Sequence, residues 1–405
     1  MLRHGACHGC GAAVASRHAH RRRPRLSHPA QANGQIVNVI DSVMPTHPAA
    51  RRGASDSESP GTVDTLERPL RDLRLSVIDQ CNFRCTYCMP RESFDAGYAF
   101  MPSSERLSFD QLTRIARAFV ALGVEKIRLT GGEPLLRRGL ETLVESLASL
   151  TTVDGKPVEI ALTTNGSLLA AKARALRDAG LGRVTVSLDA IDDAVFRRMS
   201  DVDLPVARVL DGIEAAQAVG LAPVKVNAVI ERGVNDNQLL PLVRAFRHSG
   251  VAVRFIEYMD VGGAQYWATD KVVTAAQMRA IIESEFPLLP CGDDANAHAG
   301  TAIHYRHADG GGDVGFIASV SHPFCGTCTR ARVSADGQLY TCLFATHGTD
   351  LRPWLDAAAP LAPLTDTIRD RWLRRDDRYS ELRSAHRARR SGKTYPTVRM
   401  SLVGG

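Results

Sequence analysis

From about residue 70 the apolar positions gather into short runs, each followed by a segment of helical length. The runs 73–78, 126–130, 158–163, 184–188, 224–230 and 251–256 read as strands, and the amphipathic stretches 109–122, 168–179, 206–219 and 238–248 read as helices between them. Strands alternating with helices of this length predict βαβ units and a parallel sheet. Six such units within about 190 residues predict an α/β fold of the incomplete (β/α)6 barrel type, rather than a nucleotide-binding sandwich. Beyond that alternation the chain shows no internal repeat. In such barrels the active site lies at the C-terminal ends of the strands, so chemically loaded residues are expected in the loops that follow them.

The chain divides into three parts. Residues 1–65 mix Ala, Arg, His, Pro, Gly and Ser with few large apolar residues, a composition that cannot offset the entropy of ordering, and are expected to be disordered. An Arg-rich, acid-free start fits an organelle transit peptide, and a later start at Met44 explains the same residues. Residues 66–265 form the barrel, and residues 266–405 a C-terminal region that closes its open side. No apolar run reaches the 18 residues of a membrane span.

The formal charge of +6 does not spread over the chain. Six arginines (Arg3, Arg17, Arg21, Arg22, Arg23, Arg25) stand in residues 1–40 without one acid, which leaves 44 basic and 44 acidic side chains in the rest. A nucleic-acid-binding domain carries its positive excess on the folded part, so no nucleic-acid partner is expected.

Nine cysteines are too few for a disulfide scaffold and odd in number; most stand in tight clusters, which reads as metal ligation in a reducing compartment. Cys7 and Cys10 in the N-terminal segment have no second ligand pair at zinc-finger spacing, and Cys291 stands alone in a Gly/Asp/Ala-rich loop as a free thiol. The first expected strand runs straight into Cys81, Cys85 and Cys88, a CxxxCxxC triad in one loop. Iron–sulfur cubanes are usually held by four cysteines, so three leave one iron open to a small molecule, whereas a structural zinc site wants four closed ligands. After the next strand comes a Thr-Gly-Gly-Glu-Pro turn, 130–134, whose glycines let backbone approach a ligand closely. A second triad, Cys325, Cys328 and Cys342, lies outside the barrel; spacing alone leaves a cluster and a zinc site with His322 or His347 both open. Beside it Arg330 and Arg332, two residues apart on an extended segment, point to one side and suit an anion.

The CxxxCxxC loop with Tyr87 before its last cysteine, followed by the 130–134 turn, resembles the radical S-adenosylmethionine (SAM) superfamily. Together with the second triad, the segments 163–166, 186–189 and 224–227, and the terminal Gly404-Gly405, residues 68–405 resemble the GTP 3′,8-cyclase family of molybdenum-cofactor synthesis. The terminal segment has Val403 where many relatives have Ile.

That resemblance implies a set of roles. Cys81, Cys85 and Cys88 would hold one [4Fe–4S] cluster, whose open iron chelates SAM; Cys325, Cys328 and Cys342 would hold a second, facing the guanine. Tyr87, Gly132, Ser187 and Met259 match SAM-contacting positions; Arg74, Arg128, Thr163, Lys225, Arg330 and Arg332 match GTP-contacting ones. Arg330, Arg332, Gly404 and Gly405 are implied in catalysis, the last two on a tail that enters the barrel. The implied reaction cleaves SAM with one electron, takes the ribose 3′-hydrogen of GTP and closes a bond to guanine C8. The implied partners are a flavodoxin-type electron donor, a cyclic pyranopterin monophosphate synthase that takes the product, and a second copy in a homodimer, in the bacterial cytoplasm. A peptide-modifying radical SAM maturase would share the first triad, but with a longer auxiliary cysteine series and no Gly-Gly end.

Overall fold

A computed structural model of the chain describes residues 61–261, 267–291, 300–388 (backbone only for 384–388) and 398–404. Cys7, Cys10, Met44, residues 292–299 and Gly405 lie outside the described residues. Six strands run parallel and in chain order: β1 (Asp72–Ser76), β2 (Lys126–Thr130), β3 (Glu159–Thr164), β4 (Arg183–Ser187), β5 (Lys225–Ile230) and β6 (Ala252–Glu257). Each overlaps an expected run and differs from it by no more than two residues at either end. The helices between them are α1 (Phe109–Ala121), α2 (Leu140–Ala148), α3 (Leu169–Asp178), α4 (Asp193–Ser200), α5 (Ala207–Ala218) and α6 (Leu239–Phe246). Two of these, α2 and α4, were not anticipated: at nine and eight residues they offer barely two turns of periodicity.

The C-terminal chain does more than close an open side. Its strands are β7 (Leu288–Pro290), β8 (Ile303–His307), β9 (Asp313–Ile317), β10 (Arg330–Val333), β11 (Gln338–Tyr340) and β12 (Thr349–Asp350). All join the barrel sheet, in the order β12-β11-β10-β1-β2-β3-β4-β5-β6-β9-β8-β7. Because β10 pairs parallel with β1 and β9 parallel with β6, the arrangement is eight parallel strands flanked by antiparallel ones. The sequence pattern missed this because β9 and β10 are not preceded by helices in a βαβ rhythm.

Strand alternation then sorts the side chains. Leu73, Leu75, Ile127, Leu129, Leu162 and Val186 are fully buried in one apolar cluster with Ile115 and Phe119 of α1 and Leu143 of α2. The residues between them on the strands are polar: Asp72 and Arg74, Lys126 and Arg128, Thr163, Thr185, Lys225 and Asn227, Arg254. In-register pairing places Arg74 beside both Arg128 and Arg332, and Asp72 beside Lys126 and Arg330. The sheet thus turns its apolar side to the helices and its charged side inward.

The expected edge of the N-terminal segment needs correction. Residues 61–65 are part of the fold: Val63 bridges Pro69, and Asp64 is buried. Their order comes from an ion pair between Asp64 and Arg375, 311 positions away, which local composition cannot reveal. Among the described residues no helix is long and apolar enough to cross a membrane.

Candidate active site

The loop after β1 carries Cys81, Cys85 and Cys88, all half-buried free thiols. Burial pushes the Cys81 and Cys88 thiols up to about 12 and Cys85 up as well; Cys81 and Cys88 further raise Cys85, and Cys81 raises Cys88. Three thiols this close in an apolar setting resist becoming thiolates alone and are stabilised as thiolates by a cationic cluster, so the donor set fits an iron–sulfur group. Among the described residues no three His, Cys, Asp or Glu side chains converge as a single metal ion would require. Nδ1 of His347, one of the histidines a zinc site would use, lies 2.8 Å from Thr346 Oγ1.

The 130–134 turn packs on this loop. Gly132 N donates to Ile78 O and Glu133 N to Gln80 O, both at 2.8 Å. A Cβ on Gly132 would collide with the Gln80 carbonyl, so its missing side chain makes room for the cysteine loop. Glu133 is buried and accepts from Thr164 Oγ1, Asn165 N and Leu135 N; burial still pushes its carboxyl up to about 7. Tyr87 is buried with its hydroxyl donating to Asp189 at 2.9 Å, and Asp189 also accepts from Val229 N. The Tyr87 hydroxyl is therefore committed to the protein. Ser187 ends β4, in register with Asn227 of β5.

Inside the barrel lies a cavity of about 1080 Å³, part of it open to solvent. Its walls bring together Arg74, Arg128 and Thr163 from the first strands, Arg330 and Arg332 from β10, and all of Cys325, Cys328 and Cys342, with Met259 among them. Cys81, Cys85, Cys88, Tyr87, Gly132, Ser187 and Lys225 are not in its walls. The two triads nevertheless share one apolar cluster: Cys85 and Cys88 from the first and Cys342 from the second pack against the group that contains Tyr87, Tyr258, Phe344 and Tyr379, as do Met259 and Met400.

Sequence reasoning passed over several wall residues, namely Thr185, Asn227, Arg254, Phe324 and Arg375. The signal for three of them was available, because Thr185, Asn227 and Arg254 occupy the same alternating face as Arg74 and Arg128. Asn227 Oδ1 and Arg254 Nε are buried without a partner among the described residues. Arg254 Nη2 lies 3.3 Å from His304 Nε2, and burial plus Arg254 pushes that imidazole down to about 4, so it is neutral at pH 7. A second, more polar recess at the strand starts shares Arg74, Arg128, Arg254 and Arg330 with the first and adds Lys126 and Asp72.

Cations crowd here. Burial and neighbouring guanidiniums push Arg128 and Arg254 down to about 10, Lys126 to about 8 and Lys225 to about 7, and lower Arg74 as well. Lys225, at the start of β5, belongs to this cluster through Arg254, Arg183, Lys126 and Arg128, although it lines no cavity wall. Such a group is short of negative charge.

Arg330 and Arg332 have separate engagements. Arg330 Nη2 lies 3.3 Å from Cys328 Sγ, with its guanidinium 5.1 Å above the Phe324 ring. Burial alone would raise the Cys328 thiol, yet Arg330 and Arg375 bring it down to about 6. Arg332 donates to the carbonyls of Gly404 and Val403. The short helix Met400–Val403 places the tail inside, with Val403 fully buried and Gly404 at φ +71° against Thr130.

Residues 75–246 match the Radical SAM superfamily, and residues 251–381 match Molybdenum Cofactor Synthesis C. The chain is 54% identical over 342 residues to a protein of Xanthomonas axonopodis pv. citri (strain 306) named GTP 3′,8-cyclase, covering 84% of this chain and 98% of that one. It is 45% identical over 343 residues to a protein of the same name from Staphylococcus aureus (strain JH9), with the same coverage. Among solved structures, Streptococcus suis SuiB bound to S-adenosylmethionine matches with a TM-score of 0.50 and 17% identity, over 75% of this chain and 68% of that chain. That likeness shows the fold, a partial barrel.

Proposed function

The chain belongs to the GTP 3′,8-cyclase family of radical SAM enzymes, and from that premise we propose how its residues divide the work. The reaction is the radical cyclisation of GTP to 3′,8-cyclo-7,8-dihydro-GTP, in molybdenum cofactor synthesis. The observation that carries the assignment is the joint presence, in the walls of one barrel cavity, of several cations and a cysteine triad, with the docked C-terminal tail held by the wall residue Arg332.

When bound at Cys81, Cys85 and Cys88, a [4Fe–4S] cluster with SAM supplies the one-electron chemistry that yields a 5′-deoxyadenosyl radical. Tyr87, Gly132, Ser187 and Met259 border that end of the barrel and are assigned to SAM. Tyr87, its hydroxyl tied to Asp189, contributes a ring and a fixed backbone rather than a free donor.

GTP is assigned to the cavity below. Its triphosphate, about four negative charges, is drawn to Arg74, Arg128 and Lys225, with Lys126 and Arg254 beside them, because several guanidiniums and ammoniums together neutralise one polyanion. Thr163 and the unpartnered Asn227 Oδ1 offer polar contacts along the ribose. Cys325, Cys328 and Cys342 are assigned to a second [4Fe–4S] cluster, next to which the guanine base lies. Arg330 keeps Cys328 ionised for that purpose, and Arg332 holds the tail so that Gly404, and Gly405 beyond it, close the cavity over the ribose. Closure of this kind orients the 3′-hydrogen toward the radical and excludes water.

For the partners, a flavodoxin-type donor, a cyclic pyranopterin monophosphate synthase and a second copy of the chain are proposed on the same family grounds, as is a cytoplasmic setting. The test is anaerobic incubation of the reconstituted protein with SAM, a reductant and GTP. Chromatography coupled to mass spectrometry is expected to show a second nucleotide of the mass of GTP that elutes apart from it, together with 5′-deoxyadenosine. Deoxyadenosine without any GTP-derived product overturns the assignment.

A further inference from the structure

The segments that carry the second cysteine triad have little regular structure of their own. Cys325 opens a single 3-10 turn (Cys325–Thr327), Cys328 follows it, and Cys342 lies after β11. What holds them is a buried ionic group drawn from both ends of the fold. Asp64 Oδ2 accepts from Arg68 Nε at 2.7 Å and from Arg375 Nη1 at 3.0 Å, and all three side chains are 0–1% exposed. Asp64 Oδ1 accepts from the backbone N–H groups of Leu66 and Arg68, which fixes the carboxylate from the other side.

The two guanidiniums then reach into the triad. Arg68 Nη1 donates to Cys325 O at 2.8 Å. Arg375 Nη1 donates to Cys328 O at 2.7 Å, and Arg375 Nε donates to Thr341 O, next to Cys342, at 3.0 Å. One carbonyl from each cysteine-bearing segment is thus bonded to an arginine that answers to the same carboxylate. Trp372 completes the group: its Nε1 donates to Arg68 O, and its ring lies 4.5 Å from the Arg375 guanidinium.

We propose that Asp64, Arg68 and Arg375 are the positioning residues of the second cluster, a three-way clamp that sets the spacing of Cys325, Cys328 and Cys342. The inference rests on the assignment of that triad to a cluster. Ligands to a cubane must meet three different irons, and outer partners that orient such ligands govern both retention and tuning of the group. The bonds go to carbonyls rather than sulfurs, so the clamp acts on geometry. Its guanidiniums also act on redox poise, since hydrogen bonding and burial around a cluster set its potential; Asp377, 3.8 Å from Arg375 Nε, balances the second guanidinium.

The experiment uses the full chain, reconstituted anaerobically as wild type, C325A, D64N and R375K, with iron per chain, EPR of the reduced protein and SAM binding measured on each. R375K keeps the charge but cannot serve one carboxylate and two carbonyls together. Wild type is expected to hold about eight irons and C325A about four. D64N and R375K are expected to lose at least half of the second site's iron, or to shift its EPR signal, while SAM binding at the first site stays within about twofold. Full iron and an unchanged spectrum in both variants overturn the clamp. Four irons in wild type overturn the second cluster itself, a different failure from the first. Should D64N not fold, R375K decides alone.

Discussion

Lys225 shows how much a single position in this barrel depends on what fills the cavity. Burial, and then Arg254, Arg183, Lys126 and Arg128, bring its ammonium down to about 7, and Lys126 falls to about 8. A bound triphosphate removes the repulsion and returns both toward the ordinary lysine value near 10.4. At pH 8 the free protein therefore carries Lys225 mostly neutral and the complex carries it charged, so GTP binding takes up protons. The phosphate groups, with second ionisations near 6, are already ionised there and do not cancel the effect. The sign follows: affinity weakens as pH rises above 7, approaching about tenfold per pH unit for one such group. Titration calorimetry at pH 8 in two buffers of different ionisation enthalpy is expected to report uptake of between one and two protons per GTP, about 0.9 from Lys225 and about 0.5 from Lys126, and Lys225→Gln to lower it. Identical heats in both buffers would remove Lys225 from the phosphate site.

Among the elements, the terminal helix Met400–Val403 links both ends of the active cavity. Its preceding residue, Arg399, stacks over Phe94 at 4.7 Å and Tyr98 at 5.1 Å. Arg84, which donates to the Cys81 and Phe83 carbonyls, stacks over Phe100 of the same aromatic group. The tail is thereby anchored to the loop of the first triad at one end and to Arg332 at the other. Gly404→Ala would push a methyl into Thr130 at a left-handed φ, so turnover is expected to fall about a hundredfold, as misplacement by an ångström does, with iron content unchanged. Arg399→Ala removes an exposed stacking contact and a hydrogen bond to the Tyr98 hydroxyl and is expected to lower kcat/KM about two- to fivefold. Both are read by product formation beside an iron assay. The elements also show what the sequence could carry. The six barrel strands were legible because period-two burial and short length mark them, and the cysteine loops because their spacing is chemical. The strands β9 and β10 were not, because no strand–helix alternation leads into them and their order comes from docking on β6 and β1. Arg254 was legible in principle, on the alternation that exposed Arg74 and Arg128, whereas Arg375 sits just beyond a helix, where no strand pattern marks it.

At the scale of the whole molecule, the charge balance and the ion pairs say which charges the barrel and its second cysteine triad depend on. The excess of +6 matches six arginines in residues 1–40, and the rest is neutral overall. Anion binding thus depends on a few inward cations rather than on net charge, as crowding around Lys225 already indicates. The relatives make the same division: 342 residues of this chain account for 98% of the Xanthomonas protein. A chain that starts at residue 61 is accordingly expected to match the full chain in turnover and melting temperature. Starting at residue 67 is different, although only six more residues go. It removes Asp64, taking from the buried Arg68 its carboxylate and leaving Arg375 only the longer pair with Asp377 at 3.8 Å, a change worth about 3–5 kcal/mol. The expected outcome is a melting temperature lower by several degrees and a second site depleted of iron, against no change for the first truncation. Equal melting temperatures for the two truncations would mean that water reaches and solvates these guanidiniums, and that Asp64 adds nothing to stability.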